Sequence, residues 1–546
     1  MNIRRRTLLQ ASASLALASE FPTSHASSKG VPVRVSLDQF VKAAESVEKL
    51  RKLFAEMRKK RASDPASYFF QAAIHWWPDL SSNAVRQFPD RKVLADMFNA
   101  DPDAKTLLGF WNQCTHLGVK SPADFLLWHR AYLYYFERHA RVTLNDSTFA
   151  LPYWHYRAST PASLELPEPF RERQTPSGAE NPLYPLGGRR RQLDARGSRL
   201  QERFVDTTRC MRNDYYFSGS GFPGFGESTG TGDSIDHTPH GQVHGGVGGW
   251  MEDVRTAAFD PIFWVHHANI DRLFNQWLSG RRGWSRDKTR AEIEAWLDAS
   301  PYNFIDVNGQ EDRRPRRFFL EQSNLGYMYD TDPAKINPPE MPTAQIFVRG
   351  AAGAGGGKSL SNVPQEVKGF IERDAGAVGK PVSVPASTGH RFFVPLDLPE
   401  GSGPGAGVGK TPLAVSRQSS NAYTYTVIDL ENVRKAGDAA GNYAVFVGPL
   451  SDAASDAKSP AFVGDFSAFD VPDENEPGKG AKYRFDITRQ LDALKGQTGI
   501  LSLTVRVLPV GSLDANGKPL QVERSGSLVV GDVVVRSLVG SDKPLK

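Results

Sequence analysis

The sequence predicts a chain in two parts: a mainly helical N-terminal domain with long loops, then a C-terminal antiparallel β-sandwich-like domain. Three observations carry this. Apolar residues recur at helical spacing in 36–60 and in "PADFLLWHRAYLYYFERHARVT", residues 122–143. The composition changes after about residue 330, through "DPAKINPPEMP" and "RGAAGAGGGKS". Beyond 365 come short alternating segments, "AYTYTVIDL", "NYAVFVG", "YRFDITRQL", "ILSLTVRVLPV" and "SLVVGDVVVRSLV", separated by Gly, Pro, Asn and Asp.

In chain order, "MNIRRRTLLQASASLALASEFPTSHASS" sets three arginines before a short run of small and apolar residues and a small-x-small site ending at Ala26. That is a signal peptide over 1–26, too short to span a bilayer. Arg5-Arg6-Thr7-Leu8-Leu9 is similar to the twin-arginine signal, which implies export to the periplasm or beyond. The helix at 36–60 closes with a basic turn. Residues 160–235 are rich in Pro, Gly, Arg and Ser and predict loops. "DPIFWVHHANIDRLF", 260–274, predicts a helix with Asp260 at the N-cap and Pro261 at the first helical position. Another helix follows at about 287–299. The domains are therefore 27–335 (helical), 336–365 (a Gly/Pro-rich linker) and 366–546 (the β domain).

The formal charge of +5 falls by two when the signal leaves, too little to suggest an acidic partner. No basic run with interleaved aromatics marks a nucleic-acid surface, and no later apolar stretch is long enough for a membrane span. The two cysteines, Cys114 and Cys210, leave a single bridge open.

The chain has twelve histidines, and ten of the eleven left after the signal lie between 75 and 267. His240 and His244 form H-x-x-x-H in "PHGQVHGG", which on a helix places both rings on one face. Gly241 stands where the zinc-protease motif needs its glutamate. His75 and His129 sit among bulky apolar residues, and each alone is better read as a buried structural histidine. Together two clusters emerge: His75, His116 and His129, and then His240, His244 and the His266–His267 pair. Three neutral imidazoles per metal, without carboxylate or free thiolate, suit copper or zinc. Adjacent helical residues point about 100° apart, so His266 and His267 can hardly both face one small site. Spacing alone does not choose between them.

"SPADFLLWHRAYLYYFER" and "DPIFWVHHANIDRLF" resemble the two copper-binding signatures of the type-3 copper proteins: tyrosinases, the catechol oxidases and other polyphenol oxidases, and molluscan haemocyanins. The resemblance covers about residues 65–330. "NLGYMYD", with Tyr327 and Tyr329, is similar to the tyrosine motif closing the plant core, and "KYRFDITRQL" more weakly to a motif of the plant C-terminal domain. The resemblance implies a four-helix-bundle dicopper core holding two copper ions. It assigns His75, His116 and His129 to the first ion and His240, His244 and His267 to the second. His267 is chosen because the family's ligand lies four residues before the aspartate of "IDRL", here Asp271. His266 then turns into packing, and His139, His155, His237 and His390 have no ligand role. Cys114-Thr115-His116 resembles the thioether site of fungal and molluscan members, which implies a Cys114–His116 link. The C-terminal domain resembles the plant domain that shields the copper entrance in latent enzymes.

The implied activity is copper-dependent oxidation of phenols and o-diphenols to o-quinones with O2. The alternatives are an o-aminophenol oxidase or a haemocyanin-like oxygen carrier. O2 and phenolic small molecules are the expected partners; the oligomeric state is unassigned. Four positions bear on substrate choice. Family members hold a water with a glutamate before the fourth ligand and an asparagine just after it; here Asp236 and Gly241 stand there. Gly offers no side-chain acceptor, so diphenol oxidation is expected to exceed monophenol hydroxylation. Gly245 is expected to add space above the second copper. Val254, where plant members carry a gating phenylalanine, is expected to widen the mouth. Arg255 beside it is expected to be solvated.

Overall fold

Helical periodicity becomes helix where it was expected, with ends set by local chemistry. The computed structural model describes residues 30–342 and 371–540, except 117–120, 158–159, 189, 218–223, 228–233, 286, 379–380, 396–422, 440, 449–456, 477, 495–501 and 522–525. The signal and most of the linker thus lie outside the described residues. The segment 36–60 forms two pieces: a turn, Leu37–Phe40, capped by Ser36, and then helix α1, Ala44–Lys59, which buries Leu50, Leu53, Phe54 and Met57. Helix α2, Tyr68–His75, starts where Ser67 Oγ accepts from the Phe70 amide at 2.9 Å. All eight of its residues are buried, as a helix apolar all round must be. Helix α3, Phe125–Leu144, follows a tight turn at Pro122–Asp124 and stops at Asn145 in the left-handed conformation. Helix α4, Gln242–Val247, continues a wider turn, Asp236–Gly241. Helix α5 runs Ile262–Leu278 and helix α6 Arg290–Asp298, the latter opened by a Thr289–Glu292 capping box. Helix α5 starts one residue later than expected, with Pro261 at the N-cap; Asp260 Oδ1 still accepts from the Ile262 amide at 3.2 Å.

The helical part is closed on itself. Strand β1, Val33–Arg34, pairs in parallel with β4, Met328–Tyr329; β2, Phe304–Ile305, and β3, Glu311–Asp312, form a small hairpin pair. Arg34 is fully buried and bonds Glu137 at 2.8 Å and Asp271 at 3.1 Å. The Tyr327 and Tyr329 hydroxyls donate to Asp271 Oδ2 at 2.6 and 2.7 Å. The tyrosine motif therefore fixes the aspartate of "IDRL" and, through it, the middle of α5. Removing one member of such a buried ionic network costs about 3–5 kcal/mol.

The C-terminal region is a sheet region. Its strands are β5 Ile371–Val378, β6 Val382–Pro385, β7 His390–Pro395, β8 Tyr423–Ala436, β9 Asn442–Gly448, β10 Phe462–Ser467, β11 Ala481–Asp486, β12 Ser502–Val510, β13 Ser527–Val530 and β14 Asp532–Gly540. One sheet has the order β10-β9-β12-β7; the other has β5-β14-β8-β13-β6, with β11 also on β8. Every pairing in the two sheets is antiparallel. Val445, Val447 and Val505 of the first sheet share an apolar cluster with Ile428, Leu430 and Val535 of the second. "YRFDITRQL" is not one strand: β11 ends at Asp486 and helix α7, Thr488–Leu494, follows. Among the described residues no helix is long and apolar enough to cross a membrane.

Candidate metal centre

Seven buried imidazoles meet inside the helical part, each at most 3% exposed. His75 ends α2, His116 stands in the following loop, and His129 lies in the second turn of α3. His240 closes the wide turn, His244 sits in α4, and His266 and His267 lie on α5. The two sequence clusters interleave. His129 stacks on His267 at 4.3 Å and 12°, and His116 lies parallel to His240 at 5.4 Å. His240 and His244, four residues apart, bring their rings to 4.6 Å.

Backbone carbonyls set the tautomers. Nδ1 of His75 faces the Val254 carbonyl at 3.1 Å, Nδ1 of His129 the Phe125 carbonyl at 2.8 Å, and Nδ1 of His244 the Met251 carbonyl at 2.7 Å. A carbonyl only accepts, so each Nδ1 carries the proton and each Nε2 keeps its lone pair. Nε2 of His75 and of His240 are then buried without any partner. His244 Nε2 lies 3.4 Å from His267 Nε2. Two imidazole nitrogens bound tetrahedrally at 2.0–2.1 Å stand about 3.3 Å apart. Orphaned buried acceptors cost about 1–3 kcal/mol each, so these inward-facing lone pairs fit a set of metal donors. Burial also holds His75, His244 and His267 well below the ordinary imidazole value and His129 at about 4. They remain neutral donors at physiological pH.

His116 differs. Its Nδ1 lies 3.0 Å from Cys114 Sγ and its Nε2 donates to Asp236 Oδ1 at 2.9 Å; Asp236 Oδ1 also accepts from His240 Nδ1 at 2.7 Å. Burial opposes charge here, but the thiol and the carboxylate outweigh it and raise His116. Burial likewise opposes the Cys114 thiolate, yet His116 and His129 bring the thiol down to about 5. Cys114 and Cys210 are both free, so the bridge left open by the sequence is not formed. His139, His155, His237 and His390 stay outside the histidine groupings; His139, for example, donates to the Ile305 carbonyl at 2.9 Å.

A roof from the sheet region covers the cluster. Phe469, just after β10, stacks on His244 at 3.9 Å and 21° and meets His116 and His240 edge-on at 5.5 Å. Its carbonyl accepts from the Val254 amide at 3.3 Å. Beside it remains a cavity of about 20 Å³ lined by Asp236, Gly241, Ser467, Asp470 and Tyr483, room for about one water.

Three expectations change under this roof. Gly245 adds no space, because a Cβ there would run into Asn442 Oδ1, whose amide donates to the Gln242 carbonyl at 2.8 Å. Val254 lines no open mouth: it is fully buried, and its amide is tied to the Phe469 carbonyl. Arg255 is not solvated. It is buried and pairs with Asp253 at 3.2 Å, with Asp473 at 3.1 Å and with Glu476 at 2.6 Å. Gly241 is hemmed as well, with Ser467 Cβ 3.3 Å from where its own Cβ would be. His266, set aside as packing, lies within the cluster with His240, His244 and His267. The roof residues left no periodic signal to find. Only an isolated "FSAFD" followed by the acid-rich "VPDENE", opposite Arg255, hinted at them.

Fold and cluster define a histidine-rich protein equipped to hold metal inside a helical core with a sheet region attached. Residues 65–279 match the common central domain of tyrosinase, and 376–526 match a domain of unknown function, DUF7868. The tyrosinase match is thus confined to the central segment that carries the histidine cluster, and the relatives it finds are tyrosinases and polyphenol oxidases. It is 30% identical over 314 residues to tyrosinase HcTyr1 of Hahella sp. (strain CCB-MM4), covering 52% of this chain and 62% of that one. To the chloroplastic polyphenol oxidase II of Ipomoea batatas it is 27% identical over 330 residues, or 55% and 50% of the two chains. It thus spans about half to three-fifths of these relatives. A solved latent aurone synthase shares the fold over 96% of this chain and 92% of its own, at a TM-score of 0.51 and 21% identity. Latent apple tyrosinase does so over 95% and 99%, at 0.50 and 19%.

Proposed function

We propose that the protein is an exported phenol oxidase that turns o-diphenols into o-quinones with O2 and hydroxylates monophenols more slowly. The observation that carries this is the set of inward-facing Nε2 lone pairs, locked by Nδ1–carbonyl contacts on three helices. On this reading His75, His116 and His129 hold one copper ion and His240, His244 and His267 the other, within a four-helix core of α2, α3, α4 and α5. A bound copper pair supplies the electron transfer that reduces O2 to water as the diphenol is oxidised.

The remaining work falls to the chain. Phe263 packs against His75 at 4.9 Å and His267 at 4.2 Å and keeps those rings dry. The His244 face now under Phe469 is where an aromatic substrate would lie. Asp236 is positioned to take a phenol proton, but it is already shared by His116 and His240, and Gly241 adds no acceptor. That favours diphenols, which need no added oxygen. The Cys114–His116 thioether is supported by contact. A half-turn of the His116 ring about Cβ–Cγ exchanges Nδ1 with Cδ2, sets carbon beside the sulfur, and frees Nε2 from Asp236. Residues 366–546, read as a two-sheet sandwich, act as a removable shield through Phe469, with the linker at 336–365 as the place to cut.

The test is oxygen uptake by copper-loaded protein, cut at the linker, with a matched monophenol and o-diphenol. Two coppers per chain and a diphenol rate well above the monophenol rate are expected. Equal rates would refute the preference, and uptake without turnover would favour an oxygen carrier.

A further inference from the structure

Four imidazoles, rather than three, converge on the α4–α5 side of the cluster. His240, His244, His266 and His267 each bring a ring nitrogen within 4.8 Å of the other three. The His266 ring lies parallel to His240 at 5.5 Å and 15°, and edge-on to His244 at 4.9 Å and to His267 at 5.2 Å. The proposed dicopper centre gives it no task. Yet His266 is fully buried, and its ring nitrogens make no well-formed hydrogen bond, meeting only a poorly aligned backbone contact from His240.

We propose that His240, His244, His266 and His267 form an acceptor site that takes the first metal ion into the empty chain, with His266 as a fourth ligand. The inference rests on the six-ligand assignment above. The empty chain favours this side. His244 and His267 already stand at 3.4 Å, close to tetrahedral spacing, and the widest pair must close by only about 1.5 Å. On the other side both His116 nitrogens are engaged, by Cys114 and by Asp236, so that triad is incomplete until the ring turns. Four neutral imidazoles are a competent donor set for copper and for other late divalent ions. Once the second ion is in place, His266 leaves the metal and returns to the position it holds here, 5.9 Å from the Tyr156 ring centre.

The experiment titrates metal-free full-length protein with Co(II) and counts nitrogen neighbours by X-ray absorption after the first equivalent. Four nitrogens are expected, and the first-equivalent affinity should fall about tenfold or more in His266→Ala and His266→Phe. Copper at saturation should stay at two per chain in both variants. Three nitrogens in the wild-type chain would overturn the proposal without using any variant. So would unchanged first-ion affinity in variants whose metal-free melting matches wild type. A fall to one copper at saturation would overturn the assignment of His267, and the proposal with it.

Discussion

The floor of the histidine cluster and its roof are built from different interactions. The floor rings hang from backbone carbonyls of the same helical part: Val254, Phe125 and Met251. Such contacts have no charge to titrate and no partner that can leave. The roof is held mainly by side chains across a seam: Arg255 to Asp473 and Glu476, Lys435 to Asp253 at 3.3 Å, Arg203 to Asp465 at 2.6 Å, and Asn442 to the Gln242 carbonyl. The contrast teaches that the floor is made to persist while the roof is made to separate. Metal binding should be insensitive to changes that free the roof.

The largest effect should come from the floor. His267→Ala should lose one copper and cut activity by about a hundredfold or more, whereas His266→Ala should keep two coppers at saturation. Metal analysis beside oxygen uptake checks both, and the reverse pattern would break the comparison. Next comes the roof. Cutting within 343–365 should raise catechol oxidation several-fold with copper content unchanged. Arg255→Gln should do part of the same in the intact chain, because it removes the cation that faces Asp473 and Glu476 across the seam. Unchanged rates after a clean cut would make the sheet region a mere stabiliser.

Much of the floor was legible in the sequence. Long apolar helices carrying His129 and His267, with the Asp271 offset, survive as written because helix period and burial agree there. The roof was not, since Phe469, Ser467 and Asn442 act across more than 190 residues of chain and leave no local period. Gly245 misled for the same reason: an absent side chain looks like space until the partner strand is seen to fill it. Arg255 was expected in solvent because its counter-charges come from the acid-rich turn after β10. The thin signal for "YRFDITRQL" as one strand failed at Asp486, where Thr488 opens a helix.

Smaller effects sharpen the boundary between the two. Peptide mapping of copper-loaded protein should find Cys114 joined to His116 with two hydrogens lost; freely alkylated Cys114 in active protein would exclude the link. Gly241→Asn should raise the monophenol rate only in the cut protein, because Ser467 crowds that position in the intact chain. If the intact variant gains equally, the roof does not reach Gly241 in solution. The seam should also respond to pH with two opposite slopes. Burial pushes Asp465 up to about 6 despite Arg203, so the folded form holds that proton more tightly than the unfolded form. Seam stability should therefore rise as pH falls from about 6 to about 4. Burial would raise Asp253 too, but Lys435 and Arg255 hold it well below the ordinary value of about 3.9, so its contribution is lost only below that. Linker proteolysis should be slowest near pH 4, and Asp465→Asn should flatten the upper slope.

The parallel pairing of Val33–Arg34 with Met328–Tyr329 has a mechanical consequence. The chain enters the helical part at one end of this pair and leaves at the other. Tension drawn through the following segment therefore loads the two strands in shear, along their length, instead of peeling one bond at a time. Arg34, rooted in Glu137 and Asp271, adds a buried rivet at the same point. The sheet region can be cut or shed downstream of Tyr329 while the Tyr329–Asp271 anchor on α5 stays in place.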